Sequence, residues 1–594
     1  MNLPPPLDGL AIEERTVLEQ YLEPVEFPAG TLLFEEGSAG DGCYIIDGGE
    51  VRLELARPEV DSDGVLGFLE PGSVVGELSL LDSLPRSASA WSHTDVKARR
   101  LSADSIERLL EAHPRIGVQV YRALGRDAAR KLRATTRRLA EFAVTDPDPD
   151  VHETVARAQQ AIRAFEDWTD ERVDGLLGQV AQAVAARAGE LAAATVKETH
   201  LGNVPDKTLK NQMASLGVYR ALVGRPGRGP LQTHAHRGVT ELASPAGVIF
   251  ALIPMTNPVA TAVFKTLIAL KGGNALILSF HRAALGVGNA TGDLIRGVLE
   301  QAGAPPDLVQ WIHKRSSRKK TAMYLGHPGV SLVLATGGAG MVRAAYSSGT
   351  PAIGVGPANT PTLICADADP DQVAQAVVMS KSFDNGLICG AEHNLIVERP
   401  LREPLIEALE RAGAAVLTPE ETTRAMAAAI DPATGTWRPQ IIGQDAQRIA
   451  GLVGITRPHP IRVVVAPTDD ASPTNPLAGE KIFPVLSLFT VATADDGIAL
   501  ARRLLEFHGA GHTAGIHTRD QAVIERFGRA IPAGRILVNS PSVQGVVGLT
   551  SGLEPSFTLG CGTFGGNSTT DNVTYRNLLN IKRVAHFVQP TDAG

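Results

Sequence analysis

Cysteine is scarce, with four in 594 residues, at positions 43, 365, 389 and 561. So few cannot make the disulfide framework of a small secreted fold, and their spacing matches no metal-ligand pattern. A reducing cytoplasm is the expected compartment, and no metal centre is expected. Basic charge is not in excess either: 56 Lys and Arg stand against 64 Asp and Glu, a net charge of −8. That balance argues against nucleic acid or an anionic membrane as a partner. Long apolar runs are missing too. The most apolar window, Val248 to Leu278, is interrupted by Pro254, Thr256-Asn257-Pro258, Lys265 and Lys271, whereas a membrane span needs about twenty consecutive apolar residues. No basic region leads into an apolar stretch at the N-terminus, so no signal peptide is expected. What is present, 44% hydrophobic and 20% charged residues, is the composition of a soluble enzyme with more than one buried core.

The chain changes character at Thr145-Asp146-Pro147-Asp148-Pro149-Asp150, whose alternating prolines and acids cannot continue a helix. Up to about residue 100, short Val/Ile/Leu/Tyr runs are punctuated by Gly30, Gly37, Gly40, Gly48, Gly64 and Gly72, which predicts a small barrel or jelly roll. From Ala103 to Phe142 the pattern becomes helical, with Leu124, Ala128, Leu132 and Leu139 near one stripe. That helix carries Arg122, Arg126, Arg130, Lys131, Arg133, Arg137 and Arg138, which read as a solvated face or as a docking surface for acidic groups. Beyond the boundary, Val151 to His200 is alanine-rich and helical. Helical segments then alternate with Gly247–Leu252, Ala275–Ser279, Val330–Ala335, Thr362–Cys365, Asn394–Val397 and Val463–Val465. Such alternation predicts an α/β architecture of parallel sheets with helices on both faces.

In the first region the informative stretch runs from Gly76-Glu77-Leu78-Ser79 to Pro85-Arg86-Ser87-Ala88-Ser89. Glycine and small residues let backbone N–H groups approach an anion, an arginine can pair with phosphate oxygens, and a glutamate can accept from a ribose hydroxyl. Taken alone, Glu77 and Arg86 fit a surface turn better than a binding site. Their context decides. Phe27-Pro28-Ala29-Gly30, Glu35-Glu36-Gly37 and Tyr44-Ile45-Ile46-Asp47-Gly48-Gly49-Glu50-Val51 precede them in the order of a cyclic-nucleotide-binding domain, which residues 15–140 resemble. The resemblance implies a β jelly roll in which Glu77 binds a ribose 2′-hydroxyl and Arg86 a cyclic phosphate, with Gly76, Leu78 and Ser87 lining the cassette. Either cAMP or cGMP fits, and cAMP is the favoured expectation.

The second region has its strongest chemistry at Phe383-Asp384-Asn385-Gly386-Leu387-Ile388-Cys389-Gly390, a cysteine beside glycines ahead of a strand-like run. A lone cysteine in an apolar stretch is ordinarily inert core, as Cys365 is expected to be. Cys561, set between Gly560 and Gly562, is an intermediate case. Three segments favour Cys389. Ile253-Pro254-Met255-Thr256-Asn257-Pro258 offers an amide at a strand end. Thr336-Gly337-Gly338-Ala339-Gly340 joins a strand to a helix start suited to a pyrophosphate. Pro476-Leu477-Ala478-Gly479-Glu480-Lys481-Ile482-Phe483-Pro484 holds an acid on a turn. In this order they resemble the aldehyde dehydrogenase superfamily. Lys197-Glu198-Thr199, Asp206-Lys207-Thr208-Leu209-Lys210-Asn211, Gly511-His512-Thr513-Ala514 and Thr558–Ser568 extend the likeness to its CoA-acylating branch, across residues 151–590.

That resemblance implies a Rossmann-like cofactor domain and a catalytic α/β domain. The expected boundaries are residues 1–145 for the first domain, 146–152 for a linker, 153–385 for the cofactor domain, 386–545 for the catalytic domain, and 546–594 for a segment returning to the cofactor and oligomerisation region. Cys389 would be the nucleophile, Asn257 an oxyanion donor and Glu480 a ligand of the nicotinamide ribose; His512 reads either as a proton carrier or as a structural histidine. Thr336, Gly337 and Gly338 would meet the pyrophosphate, with Ser279 and His281 near the adenine ribose. Where hydrolytic relatives carry Glu-Leu-Gly-Gly, this chain reads Gly354-Val355-Gly356-Pro357-Ala358-Asn359, with no carboxylate to activate water. CoA is therefore the expected acceptor and acyl-CoA the product. NAD is expected, but no acid follows Ala275–Leu278 and His281 and Arg282 could tolerate a 2′-phosphate, so NADP is possible. A homo-oligomer, dimer or larger, is expected, and alcohol formation is not. The alternatives are a hydrolytic or phosphate-accepting relative, or an inactive cyclic-nucleotide sensor or scaffold.

Overall fold

The computed structural model describes residues 10–54, 65–82, 84–144, 149–432 and 435–588. The chain forms two compact units, residues 1–146 and 147–594. In the first, eight strands make two antiparallel four-stranded sheets. One orders Glu23–Phe27, Val96–Ser102, Gly42–Gly48 and Val74–Val75; the other orders Leu32–Phe34, Ser89–Ser92, Val51–Glu54 and Val65–Leu69. Tyr44, Ile46, Val51, Val75, Ala90 and Ala98 fill one core between them, as a jelly roll requires. The helical stretch expected from Ala103 to Phe142 forms two helices, Ala103–Ala112 and Pro114–Val144. Pro114 has no N–H to continue the first helix and forces His113 out of helical geometry, to φ −137° and ψ 67°. The side chains of Arg130, Leu132, Arg133, Arg137, Arg138 and Leu139 lie outside the described residues.

The second unit opens with a helix at Pro149–Phe165, so the expected linker, residues 146–152, is too long. Proline is tolerated in a first turn, where its missing N–H would have no intrahelical partner; residues 145–148 lie outside the described residues. A five-stranded parallel sheet follows, ordered Val309–Trp311, Ala275–Phe280, Val248–Ile253, Leu332–Thr336 and Ala352–Val355. The helix Pro258–Lys271 is buried along its whole length, which explains its all-round apolar sequence. Its two lysines are accounted for: Lys265 donates to the carbonyls of Leu252 and Leu334, and Lys271 to Asp174 at 2.6 Å.

A seven-stranded parallel sheet is ordered Ala414–Val416, Val463–Pro467, Val485–Val491, Glu392–Glu398, Thr360–Ile364, Gly511–His517 and Ala533–Val538. Sheet membership therefore changes at Thr360, ahead of the expected boundary at residues 385 and 386. The short loop after Ala352–Val355 leaves the five-stranded sheet, and Thr360–Ile364 pairs beside Glu392–Glu398 because both strands are buried on both faces. The C-terminal strand Leu579–Ala585 pairs with Val239–Pro245, which also pairs with Gly229–His234, in a separate antiparallel sheet. It does not join the cofactor sheet. Among the described residues no helix is long and apolar enough to cross a membrane.

Candidate active site

Cys389 lies between the short turn Phe383–Gly386 and the strand Glu392–Glu398. It is partly exposed, whereas Cys43, Cys365 and Cys561 are buried. The loop before it is sharply bent: Asp384, Asn385 and Gly386 have φ of 47°, 55° and 74°. At Gly386 a Cβ would sit 2.8 Å from the carbonyl carbon of Phe483, so glycine is required there. Asp384 is fully buried. Its amide donates to Asp206 at 2.7 Å, and its carboxylate accepts from the amide of Asn203, from Lys207 Nζ at 2.9 Å and from Lys210 Nζ. Lys210 also donates to Asn257 Oδ1 at 2.8 Å and to the Leu387 carbonyl at 3.2 Å, while Asn257 Nδ2 donates to that carbonyl at 3.1 Å. The Asn257 amide and the loop leading to Cys389 are thus held together. Burial is the main cause that takes Lys210 down to about 8, against the opposing pull of Asp384.

His512 and Cys389, far apart in sequence, meet. His512 Nε2 is 3.2 Å from the Cys389 sulfur, and its Nδ1 is 2.9 Å from Thr513 Oγ1. Buried Arg535 donates to the carbonyls of His512 and Gly560, fixing both segments. Burial, reinforced by the Glu480 carboxylate, pushes the Cys389 thiol up to about 12. Burial and then Arg535 hold the imidazole well below its ordinary value. Both shifts favour the uncharged forms, a thiol beside a neutral imidazole. The chain enters this strand through Gly511, at φ 85°, where a Cβ would overlap the Cys561 carbonyl oxygen.

The remaining candidates line one edge of the five-stranded sheet. Asn257 follows the carboxyl end of Val248–Ile253, His281 that of Ala275–Phe280, Gly337 that of Leu332–Thr336, and Ala358 lies beyond Ala352–Val355. In parallel α/β sheets ligands bind outside these carboxyl ends. The Thr336 hydroxyl is buried there with no hydrogen-bond partner, and Gly338 leads directly into the helix Ala339–Tyr346. Ser279 is buried within its strand, and His281 Nδ1 accepts from the Ala283 amide, capping a short turn. Glu480 reaches this edge: its carboxylate accepts from the Ala358 amide at 3.1 Å and is pushed up to about 7, chiefly by burial. No carboxylate side chain occupies Gly354–Asn359.

In the first unit Glu77 and Arg86 are both buried, at 4% and 2% exposure. Arg86 stacks on Phe34 and donates to the carbonyls of Gly76 and Gly42 and to Asp41, while its Nε has no partner. Gly76, at φ 83°, leaves space that the guanidinium fills, since a Cβ there would lie 2.4 Å from it. Glu77 is engaged by Lys131 of the helix Pro114–Val144, at 2.6 Å. Leu78 and Ser87 are exposed.

Two family profiles match the chain. The cyclic nucleotide-binding domain profile covers residues 24–113, and the aldehyde dehydrogenase family profile covers residues 126–577. The chain belongs to the aldehyde dehydrogenase family, with an N-terminal cyclic-nucleotide-binding domain. Aldehyde-alcohol dehydrogenase 2 of Entamoeba histolytica is 39% identical over 448 residues, covering 74% of this chain and 51% of that protein. The chain therefore spans about half the length of such bifunctional relatives. An acetylating aldehyde dehydrogenase from Geobacillus thermoglucosidasius has a crystal structure that superposes with a TM-score of 0.72 at 38% identity, over 74% of this chain and 97% of that one. Propionaldehyde dehydrogenase of Rhodopseudomonas palustris, solved with bound propionyl-CoA, gives 0.67 at 26% identity, over 73% and 94%.

For this aldehyde dehydrogenase, sequence reasoning missed Lys207, Lys210 and Asp384 as members of the site. The available signal was two lysines three apart on one helix, beside a nucleophile loop that also carries an acid. The geometry makes a direct prediction. Iodoacetamide should label Cys389 before the three buried thiols, and His512→Ala should slow that labelling about tenfold or more, read by peptide mass spectrometry. Preferential labelling of Cys365 or Cys561 would contradict it.

Proposed function

We propose that the chain is a CoA-acylating aldehyde dehydrogenase, interconverting a small aldehyde and acyl-CoA, whose activity responds to a cyclic nucleotide. The observation that carries the catalytic part is the 3.2 Å approach of His512 Nε2 to the Cys389 sulfur, beside an Asn257 amide. The absence of a carboxylate from Gly354–Asn359 supports a thiol, rather than water, as acyl acceptor. The acetylating relative and the propionyl-CoA-bound structure support the same acceptor. The carboxyl-end edge, with its unpartnered Thr336 hydroxyl and the Glu480 carboxylate, suits a nicotinamide dinucleotide, NAD or NADP. When bound, that cofactor supplies the hydride acceptor.

The chemistry of the chain's own residues follows. As the Cys389 sulfur bonds to the aldehyde carbon, its proton passes to His512 Nε2. The aldehyde oxygen takes the negative charge and receives hydrogen bonds from Asn257 Nδ2 and the Cys389 amide, each donor contributing about 3–4 kcal/mol to the transition state. Loss of hydride leaves a thioester on Cys389. The CoA thiol then attacks its carbonyl carbon and the Cys389 thiolate departs, leaving acyl-CoA. His512, having released the first proton to water, takes the CoA proton and returns it to the departing Cys389 thiolate.

Cys389→Ala should abolish acyl-CoA formation, and without CoA the wild type should release about one equivalent of NADH per site and stall. Steady production of free acid without CoA would place the protein among the hydrolytic enzymes. The Glu480 carboxyl, raised to about 7, supplies a pH test. Below that value it is protonated and a poorer acceptor for ribose hydroxyls, so the KM for NAD should rise as pH falls through 7. Glu480→Gln should have a high KM with that pH dependence removed.

The regulatory part rests on Glu77. Its carboxylate, the group assigned to a ribose hydroxyl, is held by Lys131 on the helix that leaves the nucleotide domain. A nucleotide must share or break that ion pair, and so pulls on the helix. Calorimetry should find binding of cAMP in preference to cGMP, lost in Arg86→Ala, whose guanidinium carries the free Nε. Lys131→Ala should bind more tightly, because no competing cation has to be displaced. Equal or weaker binding would show that Lys131 does not oppose the ligand.

A further inference from the structure

We propose that Lys210 is a positioning residue for the acylation step: its ammonium fixes which end of the Asn257 carboxamide faces the aldehyde oxygen. This rests on the reading of Cys389 and Asn257 given above. A carboxamide is nearly symmetric in shape, and a rotation of half a turn exchanges a donor for an acceptor. An oxyanion needs the donor. Two neighbours make the choice, one on each side. Lys210 has three N–H groups and nothing that accepts, so the atom 2.8 Å away must be Oδ1. The Leu387 carbonyl only accepts, so the atom 3.1 Å from it must be Nδ2. In the flipped state an amino group would face an ammonium and an oxygen would face an oxygen. With the observed orientation one Nδ2 proton meets Leu387, and the second has only a long contact, 3.5 Å, to Thr256 Oγ1, which a substrate oxygen can replace. The adjacent positive charge also polarises the carboxamide, strengthening that proton as a donor.

The way Lys210 is held supports this role. It is 1% exposed, and its three donors go to Asn257, Asp384 and Leu387, all belonging to the strand end or the nucleophile loop. Two lysines share one buried carboxylate, and Lys207 reaches the Thr256 carbonyl from the same carboxylate, bracing the residue next to Asn257. Buried ion pairs add little net stability compared with apolar residues of similar size. Asp384 is moreover held at φ 47°, a conformation that non-glycine residues retain mostly where function requires it. An amide selector that ties Asn257 to the loop of Cys389 accounts for all three features.

The test compares Lys210→Met, Lys210→Gln, Asn257→Ala and the Lys210→Met/Asn257→Ala double variant of the full chain. Single-turnover NADH formation gives the acylation rate, aldehyde titration gives KM, and iodoacetamide labelling of Cys389 reports on the nucleophile loop. Lys210→Met leaves Asp384 paired with Lys207, and thermal denaturation checks that the fold persists. Lys210→Met should slow acylation about 10²-fold, with aldehyde KM within about threefold and Cys389 labelling unchanged. Lys210→Gln, which keeps a neutral donor, should fall between it and wild type. In the Asn257→Ala background the loss of Lys210 should have almost no further effect. Acylation at the wild-type rate in Lys210→Met, with Asn257→Ala slow, would overturn the proposal and leave the oxyanion reading intact. Equal slowing by Lys210→Met with and without Asn257 would overturn it as well. A wild-type rate in Asn257→Ala would remove the oxyanion role and this proposal together.

Discussion

The buried carboxylate of Asp384 is the interaction on which the catalytic region turns. It accepts from two lysines on one helix and from the Asn203 amide, and its own amide donates to Asp206. Without it Lys207 and Lys210 would be two like charges in a region from which water is largely excluded, an arrangement that burial does not permit. Because Asp384 also begins the bend that leads to Cys389, charge compensation and loop shape are the same constraint. The helix Val204–Gln212, the strand end before Asn257 and the nucleophile loop are consequently one rigid assembly.

Around that assembly burial drives ionisable groups towards their uncharged forms. The Cys389 thiol and the Glu480 carboxyl are raised, while His512, Lys265 and Lys381 are lowered, each with desolvation as the leading cause. The resting site therefore stores its reactivity as a neutral hydrogen bond between sulfur and imidazole rather than as a thiolate–imidazolium pair. Proton transfer becomes favourable when charge can leave the sulfur for a carbonyl oxygen that has donors waiting. Such a site protects its thiol from adventitious oxidants, which attack thiolates.

Much of this was legible in the sequence. The jelly roll showed in its closely spaced glycines, the parallel sheets in alternating apolar runs and helices, and Cys389, Asn257 and Glu480 in their order along the chain. His512 was a candidate, but its distance to the sulfur depends on the strand order of the seven-stranded sheet, which no local pattern encodes. The role of Lys210 was missed for a related reason: a helix surface lysine and a buried one look alike until the partner carboxylate, far along the chain, is in place. The domain boundary was misjudged because Thr360–Ile364 and Val248–Ile253 are both wholly buried, and local sequence does not say which sheet a buried strand joins. The helix break at Pro114, by contrast, follows from local chemistry and was readable.

The nucleotide domain poses the complementary problem, because the groups proposed for recognition already have protein partners. Arg86 spends its terminal nitrogens on two carbonyls and Asp41, and Glu77 is engaged by Lys131. A ligand gains only the difference between its own contacts and those it replaces, and that difference limits any shift it can impose on the helix Pro114–Val144. Couplings between sites are typically 1–3 kcal/mol, enough to alter an equilibrium about fivefold to 150-fold. The Lys131 side chain is 38% exposed while that of Glu77 is 5% exposed. The lysine is thus the partner that water can readily receive when the pair opens, whereas the buried glutamate needs a replacement donor. On the proposed reading a ribose hydroxyl would be that donor, and the pair would exchange its lysine for a nucleotide rather than simply open.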